Sequence, residues 1–264
     1  MFLLGRTFVY IKTNIFMNIK EITKILEDFR DRNILILSDD CVDIGRGVLI
    51  SSDASISEPT LNEMIQLAKG HVYVVLGPER VISFGLRMMS RGPALDSAVS
   101  ELSNHCVSVE AREGVSTGIS IADRVCTIKI LGEANPDSRK LVSPGHIFPI
   151  KAREGGVLVK NSLREAALDI VTYTGSTDAV VVIDMLDLEG DFLPLKQQNS
   201  ISEINQIPTI KLSEVIRFRL QQERLISCVA QTSIPSRFGG EFRAHVYRSD
   251  VYEGEHLALI KGKI

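Results

Sequence analysis

The residue types that could do chemistry gather in three stretches. The first runs from Glu110 to Arg124, Glu-Ala-Arg-Glu-Gly-Val-Ser-Thr-Gly-Ile-Ser-Ile-Ala-Asp-Arg. Carboxylates, glycines, hydroxyls and two arginines leave a strand together there. Gly and hydroxyl residues ahead of a helix can cradle a phosphate through backbone N–H groups and the helix dipole. The same pattern also makes a tight turn with Asp123 and Arg124 as an ion pair, and both readings stand.

The second stretch is Pro144-Gly145-His146-Ile147-Phe148-Pro149, continuing through Lys151-Ala152-Arg153-Glu154-Gly155-Gly156. His146 could act as a general acid or base, because imidazole titrates near neutrality. It could equally be a hydrogen-bonded structural histidine. The third stretch is Lys160-Asn161-Ser162-Leu163-Arg164-Glu165. Ser162 with Glu165 three residues later is the signature of a capping box. Lys160 and Arg164 flank the positive end of the helix it opens, which makes a phosphate site. No Cys/His cluster has metal-ligand spacing, and no nucleophile elbow is present.

The elements that position these stretches follow from hydrophobic periodicity. Helices are predicted over 18–31, 60–69 (with Gly70 as its stop), 120–131, 163–174 and 213–224. Strands are predicted over 33–37, 47–51, 71–76, 105–110 and 179–184, with three more at 226–234, 241–248 and 256–261. Residues 83–104 read as an irregular loop or cover. The Gly/Pro-punctuated stretch 132–156 reads as a long loop, and 187–206 as a linker. Strands alternating with helices point to an α/β or α+β layer structure. The last 40 or so residues begin a different, strand-rich unit too small to bury a core of its own.

Composition narrows the function classes. The chain has 264 residues, 30 Lys+Arg against 33 Asp+Glu, and four cysteines, none in a C-x-x-C pair. A net charge of −3 leaves no basic footprint for nucleic acid. Scattered cysteines fit a reducing compartment, so a cytoplasmic location is expected. No apolar run reaches the length of a membrane span. The first 16 residues lack the core and cleavage site of a signal peptide. They read as a dispensable tail or a start artefact ahead of Met17.

Two of the stretches also carry a resemblance. Val109–Ser120 with Ala122-Asp123-Arg124, and Pro144–Pro149 with Ala152–Val157, resemble the 3,4-dihydroxy-2-butanone 4-phosphate synthase family of riboflavin biosynthesis. The resemblance covers roughly residues 18–213. Arg237-Phe238-Gly239, Glu241-Phe242-Arg243 and Gly254–Leu259 resemble the start of GTP cyclohydrolase II. The implied organisation is a synthase-like domain over 17–212 and a truncated cyclohydrolase-like segment over 213–264. The family's zinc-binding cysteines and GTP-binding segment lie beyond the position of Ile264, so cyclohydrolase activity is not expected. The implied fold is the family's α/β (α+β) sandwich, as a homodimer that binds ribulose 5-phosphate and Mg²⁺ and releases formate. His146 matches a catalytic histidine of the family. Arg112, Glu113 and Thr117 fall in its central substrate-binding loop.

The departures from the family pattern fall on the metal site. The family's acidic motif, Asp-Asp-Glu-Asp-Arg-Glu-Asn-Glu-Gly-Asp, aligns with Ser38–Gly47. Asp43 stands where the metal glutamate belongs, one methylene shorter. Val42 replaces an arginine, Gly45 a glutamate and Gly47 the last aspartate. The family's Arg-Gly-Gly-His-Thr-Glu is Lys160–Glu165 here, which puts Leu163 at the second metal ligand. Asp184 replaces a catalytic glutamate. Mg²⁺ needs hard oxygen ligands, and leucine offers none. Lys160, Ser162 and Arg164 keep a phosphate-binding character.

The expectation is a retained fold without the Mg²⁺-dependent conversion. The pocket is then either turned to another sugar-phosphate reaction through His146, Asp43, Arg164 and Asp184, or serves as a non-catalytic partner of a riboflavin-pathway protein. The alternative is a still-active synthase that holds Mg²⁺ through Asp43, water and substrate oxygens.

Overall fold

The computed structural model describes residues 19–41, 45–53, 55–89, 104–175, 178–237, 239–249, 251 and 254–262. Asp43 and most of the expected 83–104 loop lie outside them. The first helix, α1 (Ile19–Arg32), buries Ile22, Leu26 and Phe29 along one stripe, as its 3–4-residue apolar spacing requires. Strands β1 (Leu35–Ser38) and β2 (Gly47–Ser52) form an antiparallel pair. Helix α2 (Glu58–Ala68) leads into β3 (Lys69–Leu76), and the short α3 (Pro78–Ser83) follows. Then come β4 (Val109–Ala111), α4 (Ile121–Gly132), β5 (Leu141–Lys151), α5 (Leu163–Tyr173) and β6 (Ala179–Met185). Helix α6 (Leu195–Asn205), β7 (Thr209–Lys211) and α7 (Leu212–Gln222) complete this part.

Seven strands form one mixed sheet in the order β4-β5-β3-β6-β2-β1-β7. Side chains alternate across each strand, so the sheet feeds two separate cores. Leu49, Val72, Val74, Val181 and Ile183 face α2 and α4. Leu35, Leu37, Val48, Ile50, Val75, Val180 and Val182 face α1, α5 and α7. This is the α/β sandwich expected from the sequence. The central strand β6 reads Ala-Val-Val-Val-Ile without alternation because helices cover both of its faces. Each fully buried aliphatic there contributes about 1.5–3 kcal/mol.

Four sequence expectations need correction. The stretch 132–156 is not a long loop, since β5 occupies 141–151. Its Pro144-Gly145 survives inside a strand because the β4 pairing skips there, from Val109↔Ile147 to Glu110↔Val142. No ladder N–H is then demanded of Pro144. The stretch 187–206 is not a bare linker, because α6 packs Gln198 fully into the protein. The strand expected over 105–110 is regular only at 109–111, preceded by single bridges at His105 and Cys106. Gly70 is not the stop of α2, whose left-handed C-cap is Lys69.

The three expected C-terminal strands are present as β8 (Ile226–Ser236), β9 (Gly240–Ser249) and β10 (Glu255–Ile260). They form a separate antiparallel sheet in the order β10-β9-β8. No helix among the described residues is long and apolar enough to cross a membrane.

Candidate functional site

A cleft opens where the second sheet face passes the N-terminus of α5. Its wall is Asp39, Arg46, Val48, Lys160–Arg164, Asp184 and Phe192. Asp184 reaches it because β6 places every second side chain on this face, and the apolar run ends there. Asp39 and Arg46 come from the two ends of the β1–β2 connection, closed by the Asp39 N–H to Arg46 carbonyl bond of 2.7 Å. The guanidinium of Arg46 lies over the Phe192 ring at 5.1 Å.

Lys160, Ser162 and Arg164, expected together, do converge. Ser162 is the N-cap of α5, yet its hydroxyl makes no bond to the helix backbone. Instead the Ser162 hydroxyl donates to the carboxylate of buried Glu165. The expected capping box is therefore a side-chain pair, and the Ser162 hydroxyl caps no backbone N–H of the first turn. Lys160 Nζ lies 3.6 Å from the same carboxylate. Arg164 stacks over Tyr73 at 5.3 Å.

Leu163 offers the cleft wall only apolar surface and otherwise packs into the second core. Two carboxylates, Asp39 and Asp184, thus share the cleft with three cations, Arg46, Lys160 and Arg164. Among the described residues no three His, Cys, Asp or Glu side chains form a metal-binding group. Mg²⁺ demands a near-octahedral set of oxygens. In the described lining cations outnumber carboxylates, which suits an anion, while Asp43, the expected metal ligand, lies outside the described residues.

The acidic stretch before Gly47 is put to structural use. Asp40 accepts the N–H of Ser213 at 3.0 Å and its hydroxyl at 2.6 Å, at the start of α7, where the helix dipole favours a negative charge. Gln198 Oε1 accepts from the Ser38 hydroxyl at 2.6 Å. Its amide donates to the Gly45 and Leu193 carbonyls at 2.5 and 2.6 Å. A Cβ on Gly47 would lie 2.3 Å from Gln198 Oε1. Gln198 therefore fills the space that a side chain at position 47 would take.

On β5, outside the residues that line the cleft, His146 Nδ1 sits 3.3 Å from Glu110 Oε2. The Gly-rich loop packs directly on this pair. A Cβ on Gly118 would collide with both Glu110 and His146, and φ there is +74°. Asp123 pins the loop by accepting from the Ser116 hydroxyl at 3.0 Å and the Gly118 N–H at 2.9 Å. Burial pushes the Asp123 carboxyl up, but these hydrogen bonds outweigh it and hold its pKa below the ordinary value. Asp123 therefore faces the loop rather than Arg124, since successive residues of a helix do not face each other.

Arg112, Glu113 and Thr117 are exposed on the loop and do not line the cleft. Arg112 is spent on the Arg139 carbonyl at 2.6 Å. Sequence reading assigned no role to Asp39, Arg46, His71 and Tyr73, and took Glu110 only as part of its stretch. The alternation in His-Val-Tyr-Val-Val-Leu was the available signal for His71 and Tyr73.

Comparison with known proteins adds a second line of observation. Residues 23–218 match the family 3,4-dihydroxy-2-butanone 4-phosphate synthase, and residues 227–264 match GTP cyclohydrolase II. The chain is 31% identical over 250 residues to a 3,4-dihydroxy-2-butanone 4-phosphate synthase of Pseudomonas aeruginosa, covering 94% of this chain and 67% of that protein. A Neisseria meningitidis serogroup A synthase is 30% identical, and the match covers 93% of this chain and 66% of the relative's length. A chloroplastic monofunctional riboflavin biosynthesis protein of Arabidopsis thaliana is also 30% identical, with half of its length covered.

Among solved structures, a two-domain 3,4-dihydroxy-2-butanone 4-phosphate synthase from A. baumannii superposes with a TM-score of 0.79 at 28% identity. That match covers 91% of this chain and 70% of the other. A synthase crystallised with two magnesium ions shares the fold at a TM-score of 0.68 and 20% identity, covering 76% of this chain and 97% of the other.

Proposed function

The chain belongs to the 3,4-dihydroxy-2-butanone 4-phosphate synthase family, and from that membership we propose that its cleft binds a sugar phosphate without performing the family's magnesium-dependent conversion. The observation that carries this reading is the donor set of the cleft. Arg46, Lys160 and Arg164 surround Asp39 and Asp184, while Leu163 is packed in the core. A phosphate dianion pairs with such cations and with helix N–H groups. A divalent ion asked to stabilise an enediolate must supply several kcal/mol.

The role in riboflavin biosynthesis then takes one of two forms. Either the pocket handles a different sugar-phosphate reaction through His146, Asp184, Arg164 and Asp43, or the chain acts as a non-catalytic partner of another riboflavin-pathway protein. A homodimer is part of the proposal. Arg112, Glu113 and Thr117 are exposed on their loop, and a second copy is where we propose they act. In the β8–β10 segment we propose no GTP cyclohydrolase II activity, since among the described residues no set of metal donors gathers there.

A second reading, an active synthase with Mg²⁺, draws on the Glu110–His146 pair, which the Gly118 loop holds in place. One experiment separates them. The protein is incubated with ¹³C-labelled ribulose 5-phosphate and Mg²⁺, and the carbon NMR signals are followed. Shifts of the substrate resonances without labelled formate support the proposal. Labelled formate supports the active synthase.

A further inference from the structure

We propose that a cavity between α1, α5 and α7 binds an aromatic ammonium compound, a single ring carrying a positively charged amine. The inference goes beyond the sugar-phosphate reading of the cleft and does not rest on it.

The cavity holds about 180 Å³. An apolar cavity of about 150 Å³ takes up benzene, so the space suits one ring with a short side chain. Its inner wall is Ile22 and Leu26 of α1, Ile170 of α5, and Val215 and Phe218 of α7. Each of these is at most 5% exposed. Protein interiors hold few voids larger than a water molecule, and an empty apolar one forfeits contacts along its lining. The mouth lies at the C-terminal end of α5, where the lining residues Thr172 and Tyr173 are exposed. There Tyr173 stands edge-on to Phe218 with ring centroids 4.6 Å apart, an arrangement that a further ring can extend.

Charge selects the ligand. Asp169, Arg219 and Glu223 also line the cavity. Arg219 Nη1 donates to Asp169 and to the Gly155 carbonyl, both at 2.8 Å. Its Nε and Nη2 donate to the two Glu223 oxygens at 2.6 and 2.8 Å. All three guanidinium nitrogens are therefore engaged within the protein. Two carboxylates against one guanidinium leave a negative charge in excess among the lining residues. Arg30 does not line the cavity and donates to the Thr174 carbonyl at 2.8 Å. Burial pushes the Asp169 carboxyl up, against the opposing pull of the Val157 N–H and Arg219, and a further cation relieves that penalty.

The Asp169–Arg219 pair has a structural use as well. Asp169 accepts the Val157 N–H at 2.9 Å, and with the Arg219 bond to Gly155 this pins the turn before α5. Glu223 takes no part in that pinning. It is the exposed C-cap residue of α7, and it adds the second carboxylate to the cavity wall. Aromatic rings and carboxylates are the two surfaces that hold an ammonium group.

The test uses the full chain with ¹³C-methyl-labelled isoleucine, titrated separately with benzylammonium, benzyl alcohol and benzoate. Ile22, Ile170 and Ile210 line the cavity, so their methyl signals report on it. Benzylammonium is expected to shift them saturably, with a Kd of about 1 mM for so small a ligand. Benzyl alcohol, of the same shape without the charge, is expected to bind about tenfold more weakly. Benzoate is expected to leave the signals in place. In Glu223→Gln the advantage of benzylammonium over benzyl alcohol is expected to fall to about twofold, with benzyl alcohol itself unchanged. Because Glu223 is exposed, this variant keeps the fold. Val215→Phe fills the cavity and is expected to abolish the shifts for every probe. No saturable shift with benzylammonium overturns the inference. So does equal binding of benzylammonium and benzoate, or an advantage of benzylammonium that persists in Glu223→Gln.

Discussion

Replacing Gly47 with alanine plants a methyl group where Gln198 already lies. The new carbon would sit 2.3 Å from Oε1, 2.5 Å from Cδ and 2.8 Å from Nε2 of that side chain. A glutamine tip can usually swing aside, but this one is fully buried and bonded to Ser38, Gly45 and Leu193. Overpacking a filled site costs about 1–3 kcal/mol. Each neutral hydrogen bond that Gln198 gives up costs about 0.5–1.5 kcal/mol more. Gly47 is not in the left-handed region, so no backbone strain is added, and the lost glycine entropy returns roughly 0.5–1 kcal/mol. The steric cost wins, and the net loss is about 2–3 kcal/mol.

Urea unfolding reads this as a lower midpoint. In a chain of this size thermal unfolding should shift downward by roughly 5–10 °C. Gln198→Ala in the same chain removes the obstruction, so the double variant should be more stable than the sum of the single losses by at least about 1 kcal/mol. A Gly47→Ala protein within about 0.5 kcal/mol of the unaltered one, or strictly additive variants, would refute the packing argument. The point bears on function. The resemblance places the acidic motif's last aspartate at position 47, and restoring it alone should unsettle the fold before it restores a site.

Three further outcomes are expected. Gly118→Ala should cost about 3 kcal/mol or more in urea unfolding, because it combines left-handed backbone strain with a collision against Glu110 and His146. Asp123 has a folded pKa below the ordinary value. Its contribution to stability is therefore present above the unfolded carboxylate pKa of about 3.9 and is lost as pH falls through the folded pKa. Melting curves of the unaltered protein and Asp123→Asn should differ near pH 7 and converge on acidification below pH 4. A constant gap across that range would contradict the loop-pinning role. Lys160→Ala and Arg164→Ala should each weaken binding of ribulose 5-phosphate about tenfold by calorimetry, the worth of a charge-assisted hydrogen bond. Unchanged affinity in both would move the anion away from the α5 terminus.

Much of the frame was legible in the sequence. Ile22, Leu26 and Phe29 announce α1 by their spacing, and the unbroken Ala-Val-Val-Val-Ile run announces a strand covered on both faces. Lys160, Ser162 and Arg164 stood out as the start of a helix and Asp184 through the resemblance, and the structure gathers them around one cleft. What was hidden depended on pairing between distant segments. Pro144 and Gly145 look like loop residues until the skipped β4 register shows how a strand carries them. Gln198 reads as a linker residue, and only the fold brings it 153 positions back to the Gly45 carbonyl. Gly70 reads as a helix stop, whereas its use lies in the close approach to Asp184. The Glu165 carboxylate looks like half of a capping box, but burial turns it toward Ser162 and Lys160. In each case a tertiary contact overrode a local signal.

The central claim is that the cleft has kept an anion site and given up the metal-dependent step. The most direct measurement is the fate of the label from ¹³C-labelled ribulose 5-phosphate incubated with the protein and Mg²⁺. The account predicts bound substrate and no labelled formate above that released in a protein-free control. Formate formed in a Mg²⁺-dependent manner, and lost in His146→Gln, would contradict it.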